Sequence, residues 1–430
     1  MSTAIAQVLD ESVARPTVEP PPVPGAPETC EIAIVGAGPY GLSLAAQLSA
    51  RGVNFRIFGK PLETWREHMP KDMLLKSEGF ASSLSHPSKE ATLKAWCAAR
   101  GLAYRDRGLP VSLDQFLRYA DWFQKSYVPS VEETYVSSLE PSGDGFVLGL
   151  ENGSRVVARH VVLAVGISSF ADIPETLSEL APDAVSHSYD HRDGAWFEGK
   201  SVIVIGGGAS AVDLAALLKD EGARVRIVAR DKRIRYHNPP DARDDTFFAQ
   251  LRRPASMIGP GWRSWACVHL PWLFRLLPQS FRLRAVKRHL GPAPGWFMRE
   301  RVEGHIEMLT GHSLDAARML GNRVLLRFVG RWNKAVTLEC EHVIAATGYR
   351  PDVSRIAFLS EDLRSRIATV DGAPQLSASF ETSVPGLYAI GPVAANSFGP
   401  LMRFMTGAEW VAPLVAKHLA LKVSRTRMAG

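Results

Sequence analysis

Two glycine-rich turns, one starting at Gly36 and the other at Gly206, limit this chain to few folds. Residues 31–35 (Glu-Ile-Ala-Ile-Val) are an apolar run without alternation, which suits a strand buried on both faces of a parallel sheet. Gly36-Ala37-Gly38-Pro39-Tyr40-Gly41 follows at once. Leu42, Leu44, Ala45, Ala46 and Leu48 then trace a helical face that stops near Gly52, and residues 53–58 return as a strand. The whole has the length of a βαβ crossover. A second copy runs from the strand 201–205 through Gly206-Gly207-Gly208-Ala209-Ser210-Ala211 to a helix bearing Leu214, Ala215, Leu217 and Leu218. It ends near Gly222 and returns as the strand 224–229. One such turn is weak evidence of a dinucleotide site; two in matching context are strong.

The remaining pattern predicts a helix over 112–127 capped by Ser112, and a hairpin turning at Glu151-Asn152-Gly153. Residues 160–166 and 341–348 are two further buried strands ending in glycine, and they mark where the chain leaves one domain for the other. The fold class expected is α/β, with two Rossmann-like dinucleotide-binding domains and the second inserted in the first. The first domain takes residues 29–170 and 345–425, and the second takes 171–344. Residues 1–28 hold six prolines and read as a flexible, partly extended tail. Residues 232–300 break the βαβ pattern with Arg, Pro, Trp262, Trp265, Trp272 and Trp296. They read as an insertion on the second domain: a packed helical cap or dimer contact by preference, a lid or membrane-surface patch otherwise.

Bulk properties exclude several classes. A net charge of +6 arises from scattered arginines rather than a basic block, so nucleic acid is not expected as a partner and anionic cofactors are. Cys30, Cys97, Cys267 and Cys340 never fall at CxxC spacing, which argues against a redox dithiol and a metal site. No secretory leader and no apolar stretch of transmembrane length is evident, and scarce cysteine suits a reducing compartment, so the cytoplasm is the expected location. A homo-oligomer is left open.

The first turn suits a dinucleotide pyrophosphate. Gly36 permits the tight turn, Gly38 admits the phosphates, Gly41 lets helix and strand pack, and the helix N-terminus supplies amide donors. The acid expected about 20 residues on for the ribose is missing. Phe58-Gly59-Lys60 stands there, leaving the ribose to backbone or to Lys60. The second unit ends in Ala229-Arg230-Asp231-Lys232-Arg233. A guanidinium in place of the acid favours the 2′-phosphate of NADPH.

Taken with Ala346-Thr347-Gly348-Tyr349, this order of motifs resembles the class B flavin-dependent monooxygenases, and among them the lysine and ornithine N-hydroxylating group. Trp65-Arg66 and Met73–Ser77 resemble their flavin-covering loop, and His187-Ser188 their linker. Gly386–Gly391 with Phe398–Arg403 resembles the segment that returns to the FAD. The resemblance implies FAD reduced by NADPH, a C4a-hydroperoxyflavin formed with O2, and oxygen passed to nitrogen or sulfur of a small substrate. Carbon oxidation of the Baeyer–Villiger type, or an NADPH-dependent flavin reductase without oxygen insertion, are the rivals. The expected cofactor contacts are Gly36, Gly38, Pro39, Tyr40, Gly41, Lys60, Trp65, Met73, Leu75, Lys76, Gly166, Thr347, Gly348, Tyr349, Gly391, Pro400 and Leu401, with Gly206, Gly208, Ala209, Ser210 and Arg230 at the nicotinamide nucleotide. Ser83 and His187 are the catalytic candidates. The chain departs from the resemblance in Ser82-Ser83, where an Asn is usual, and in Pro392, where related disulfide reductases have Asp.

Overall fold

A computed structural model describes residues 28–239, 246–289, 291 and 293–429, without the side chains of 426–429. The tail read over 1–28 therefore lies outside the described residues, except for Glu28.

Apolar runs with no polar alternation form the buried parallel strands at the centre of two sheets, and the first sheet adds an antiparallel edge of alternating burial. The first contains β1 (Glu28–Val35), β2 (Arg56–Phe58), β3 (Val131–Glu132), β4 (Val136–Ser142), β5 (Gly145–Leu150) and β6 (Arg155–Leu163) in the order β3-β2-β1-β6-β5-β4. β5 turns into β6 as the hairpin at 151–153 predicts, and the Ser112 side chain caps the helix Leu113–Tyr127 by accepting from Gln115 N–H. The second sheet contains β7 (Val185–His187), β8 (Ser201–Ile205), β9 (Arg224–Ala229), β10 (Glu307–Thr310) and β14 (His342–Ala345), all parallel, in the order β10-β9-β8-β14-β7. Between β10 and β14 the chain folds an antiparallel meander, β11 (Ser313–Leu320), β12 (Arg323–Val329) and β13 (Ala335–Cys340). A small hairpin, β15 (Thr369–Val370) and β16 (Ala373–Pro374), precedes β17 (Leu387–Ala389). β17 returns to the first sheet and pairs with the second half of β6, Leu387 opposite Val161.

Helices Pro39–Ser49 and Ala209–Asp220 follow β1 and β8, and the chain ends in the helix Ala408–Ala429, which packs on the first of these. The insertion forms helices at Phe247–Arg252, Trp262–His269, Pro271–Phe274 and Gln279–Arg288. Its flanks are held in the core of the second unit by Tyr236 and Met298. Its inward side chains Ile258, Cys267, Val268 and Val286 instead join the core of the first unit.

The chain crosses between the units twice, and the two crossings are bonded to each other. Asp172 N–H donates to the Gly348 carbonyl at 3.0 Å and Arg350 N–H to that of Phe170 at 2.8 Å. The Thr347 hydroxyl donates to the Asp172 carbonyl.

Candidate nucleotide-binding site

The two turns are built alike down to the residue that closes each. Gly36 lies at φ +112°, and a Cβ there would overlap the Ala164 carbonyl just beyond β6. Gly206 lies at φ +150°, and a Cβ there would overlap the Ala346 carbonyl just beyond β14. Each first glycine thus packs on the end of the strand that runs to Gly166 or Gly348. Space and backbone angle both exclude a side chain at these two positions. A Cβ on Gly41 would run into the Gly36 carbonyl, whereas at Gly38 it would meet nothing within 4 Å. The open space therefore lies where a pyrophosphate would approach.

Both helices begin at glycine, Gly38 and Gly208, and neither has a side-chain cap. First-turn amides have no intrahelical acceptor. With Pro39 lacking an N–H, the donors left at the first turn are those of Tyr40 and Gly41; at the second they are Ala209, Ser210 and Ala211. Uncapped amides, a helix dipole and a bare approach fit a phosphate at each turn.

Beyond the second turn, Arg230 emerges exposed from the end of β9. It makes no ion pair among the described residues, so its guanidinium is available to a 2′-phosphate. Beyond the first turn, Gly59 takes φ +119° and lies 3.5 Å from the Ala37 nitrogen by its would-be Cβ, where no acidic side chain fits without strain. Lys60 turns away, its ammonium 5.4 Å above the Tyr135 ring. The nearest following acid, Glu63, accepts from the Tyr135 hydroxyl.

Tyr40 points down rather than out. Its hydroxyl donates to the Phe404 carbonyl, 2.8 Å away, and lies 3.1 Å from that of Met402, which ties the first turn to the C-terminal segment containing the buried Pro400 and Leu401. Gly391 at φ +84° packs on the Tyr40 ring. The predicted residues of the first turn and of the 391–401 segment are thus brought together.

The loop 65–76 is placed between the two units. Trp65 packs on Phe116 with ring centroids 4.7 Å apart, Met73 leans on the first core, and Leu75 is buried. Lys76 does not stand free for a cofactor, because its ammonium is paired with Asp213 on the helix that follows the second turn. Lys71 pairs likewise with Glu221. A cleft of about 250 Å³ opens beside these pairs, lined by Pro70–Leu74 on one side and Asp213, Leu217 and Arg301 on the other. Burial raises the Asp213 carboxyl against the pull of Lys76. Asp213 escaped the sequence reading, though an acid inside Ala211-Val212-Asp213-Leu214-Ala215 is the signal of a buried ion pair.

The two catalytic candidates are committed elsewhere. Ser83 Oγ accepts from Leu93 N–H at 3.1 Å and fastens a loop. His187 is buried, and its Nδ1 accepts from Tyr189 N–H at 3.0 Å. Its Nε2 must therefore carry the proton, which it donates to the Gly348 carbonyl at 3.1 Å. Burial lowers its pKa, in keeping with a neutral ring. Tyr349 stacks edge-on against it at 5.2 Å. His187 thus positions the Thr347–Tyr349 segment and has no nitrogen left for proton transfer.

Among the described residues no group of three or more His, Cys, Asp or Glu is placed to hold a metal ion, and no helix is long and apolar enough to cross a membrane.

Comparison with known proteins agrees with this geometry. Residues 33–243 match the family model "Pyridine nucleotide-disulphide oxidoreductase". Indole-3-pyruvate monooxygenase YUCCA1 of Oryza sativa is 27% identical over 367 residues, covering 77% of this chain and 78% of that protein. A ferredoxin–NADP reductase of Thermus thermophilus is 24% identical over 404 residues, 91% of this chain and 92% of its own. In structure the chain superposes on a Kutzneria ornithine N-hydroxylase with TM-score 0.72 at 16% identity, covering 92% of this chain and 99% of that one. What the chain shares with these proteins is the fold, two dinucleotide-binding domains with one set into the other, and over residues 33–243 the pattern of the pyridine nucleotide-disulphide oxidoreductases.

Proposed function

We propose that the protein is an FAD- and NADPH-dependent monooxygenase that oxygenates a small nucleophilic substrate at nitrogen or sulfur. FAD belongs at Gly36–Gly41 in a unit of residues 29–170 and 345–425, and NADPH at Gly206–Ala211 in a unit of 171–344. The observation that carries the reading is the asymmetry of the two cradles, because the second ends in an exposed guanidinium that is unpaired among the described residues, whereas Gly59 and Lys60 follow the first. When bound, the flavin supplies hydride acceptance and O2 activation, and the nicotinamide supplies the hydride. The chain's own work is to cradle both phosphates and to hold the Thr347–Tyr349 segment through His187.

The cysteines argue against a dithiol reductase. Burial pushes the thiols of Cys30 and Cys267 up to about 11 and that of Cys340 to about 12, far from the thiolate such chemistry needs. The unpaired thiols suit a cytoplasmic enzyme. A second reading, NADPH-driven electron transfer without oxygen insertion, draws support from the Thermus reductase, which aligns with nearly the whole chain. Oxidation at carbon is the remaining variant.

One experiment separates these readings. Enzyme, NADPH and 18O2 are incubated with a panel of amines, thioethers and ketones, and products are weighed by mass spectrometry. One heavy oxygen in an amine or thioether product, matched to NADPH consumed, supports the proposal. Label in a ketone-derived ester moves the reading to carbon. Fast reduction of a ferredoxin with no label in any product would sink it.

A further inference from the structure

The insertion has an outer face that its packing leaves uncovered. Helices Pro271–Phe274 and Gln279–Arg288 rest on the first unit through Phe274, which touches Gly399, and through Arg282, which donates to the Asn396 carbonyl at 2.9 Å. Arg403 reaches back to the Val286 carbonyl at 2.9 Å. On the opposite side of these same helices Trp272 is 54% exposed, Leu276 67% and Phe281 52%. Phe281, Arg284 and Arg288 follow one another at i, i+3 and i+7, a single outward stripe, and both arginines are exposed. The helix Trp262–His269 adds exposed Trp262 and Arg263, and Trp262 Nε1 donates to the Leu251 carbonyl of the helix carrying exposed Phe247 and Phe248.

Its charge is as one-sided as its apolar content. From Thr246 to Arg299 the sequence holds no Asp or Glu, while Arg252, Arg253, Arg263, Arg284 and Arg288 are exposed; aspartates 241, 244 and 245 stand just before this stretch. Exposed Trp, Phe and Leu set among arginines without acids match the headgroup region of an anionic bilayer. There aromatic and aliphatic side chains enter the acyl boundary and guanidiniums meet lipid phosphates. An acidic protein partner would satisfy the arginines but would leave this much apolar surface unmatched.

We propose that the outer face of the insertion is a peripheral docking surface for anionic lipid membranes. It seats the enzyme on the bilayer with the 396–403 segment directly beneath the docked helices. The proposal does not rest on the reaction assigned above.

The test is sedimentation of the FAD-loaded full chain with sucrose-filled vesicles of phosphatidylcholine, with and without phosphatidylglycerol. Binding is expected to phosphatidylglycerol vesicles only, and to weaken as NaCl is raised. Replacing Arg263, Arg284 and Arg288 together with Gln should weaken partitioning by about a hundredfold. The separate variant Trp272→Ser/Leu276→Ser/Phe281→Ser should also release the enzyme, while FAD content and NADPH oxidation stay as in the parent. Because the wild-type result stands alone, a misfolded variant would not rescue or sink the idea. Equal pelleting with and without vesicles overturns it. So does a concentration-dependent dimer that either variant dissolves, or capture by an acidic ferredoxin in preference to vesicles.

Discussion

At Gly36 and Gly41 one methyl group decides whether the first cradle closes. Gly41→Ala forces the helix off the Gly36 carbonyl, and Gly36→Ala adds a strained backbone to a clash. Either should give protein that purifies without its flavin, read from the visible absorbance of the released chromophore; retained flavin at full stoichiometry would refute the assignment of this turn. Gly38→Ala is the sharper probe. Its Cβ meets no protein atom, so the fold should be unharmed while dinucleotide affinity drops. In the proposed reading Arg230 sets the coenzyme. Losing a charge-assisted bond of roughly 1.5–3 kcal/mol should cut kcat/KM for NADPH by about 10- to 150-fold in Arg230→Ala and leave that for NADH nearly unchanged. Equal losses with both coenzymes would remove Arg230 from the site. The backbone form of the turns and the exposed charge of Arg230 were legible because backbone constraint and local charge are written in adjacent residues. His187 and Ser83 were legible only as chemistry-bearing types. What their side chains bond to depends on Gly348 and Leu93, and no local pattern reveals such partners.

On the level of elements, the loop 65–76 looks like a flavin cover in sequence, yet it is also the seam between the units. Lys76→Met strands the Asp213 carboxylate among apolar helix residues. Removing one partner of a buried pair costs 3–5 kcal/mol in full burial, and the partial exposure of Lys76 brings the expected loss to about 2 kcal/mol. The double variant Lys76→Met/Asp213→Leu should recover most of it. A double variant no more stable than the single one in urea titration would show that the pair is not coupled. The insertion was recognised by its loss of βαβ rhythm, and its described part folds into short helices whose inward side chains join the first core. Its seat was not recognisable. A contact such as Phe274 on Gly399 joins residues far apart in the chain, and the apolar periodicity of a helix says which face is buried, not against what.

Across the whole molecule, protonation sets a stability window. Burial holds the pKa of His342 down at about 4, and those of His160, His187 and His191 below the ordinary 6.5. Below pH 6.5 the unfolded chain takes up protons that the folded chain refuses, so stability falls as pH drops from 6.5 toward 4, His342 alone contributing on the order of 3 kcal/mol. Glu409 runs the other way. Burial lifts its carboxyl from 4.5 to about 7, so the unfolded chain gives up this proton first, and stability is lost as pH rises through that interval. Glu409→Gln should therefore raise Tm at pH 8 and leave it unchanged near pH 4; a rise of equal size at both would refute the assignment.

Among the described residues, fastenings of three unlike chemistries join the two units. One is the pair of covalent crossings bonded through Asp172 and Gly348. Another is the apolar seat of Phe274 on Gly399. The last is the ionic seam of Lys71 with Glu221 and Lys76 with Asp213. A body pinned at two points can still turn about the line between them, and a third pin off that line stops it. Salt weakens the ionic seam and also the pair of Lys287 with Asp371, 3.1 Å apart, at the edge of the insertion's seat, and leaves the crossings untouched. Ionic strength thus loosens the edges by which the units meet while the two chain crossings keep them joined.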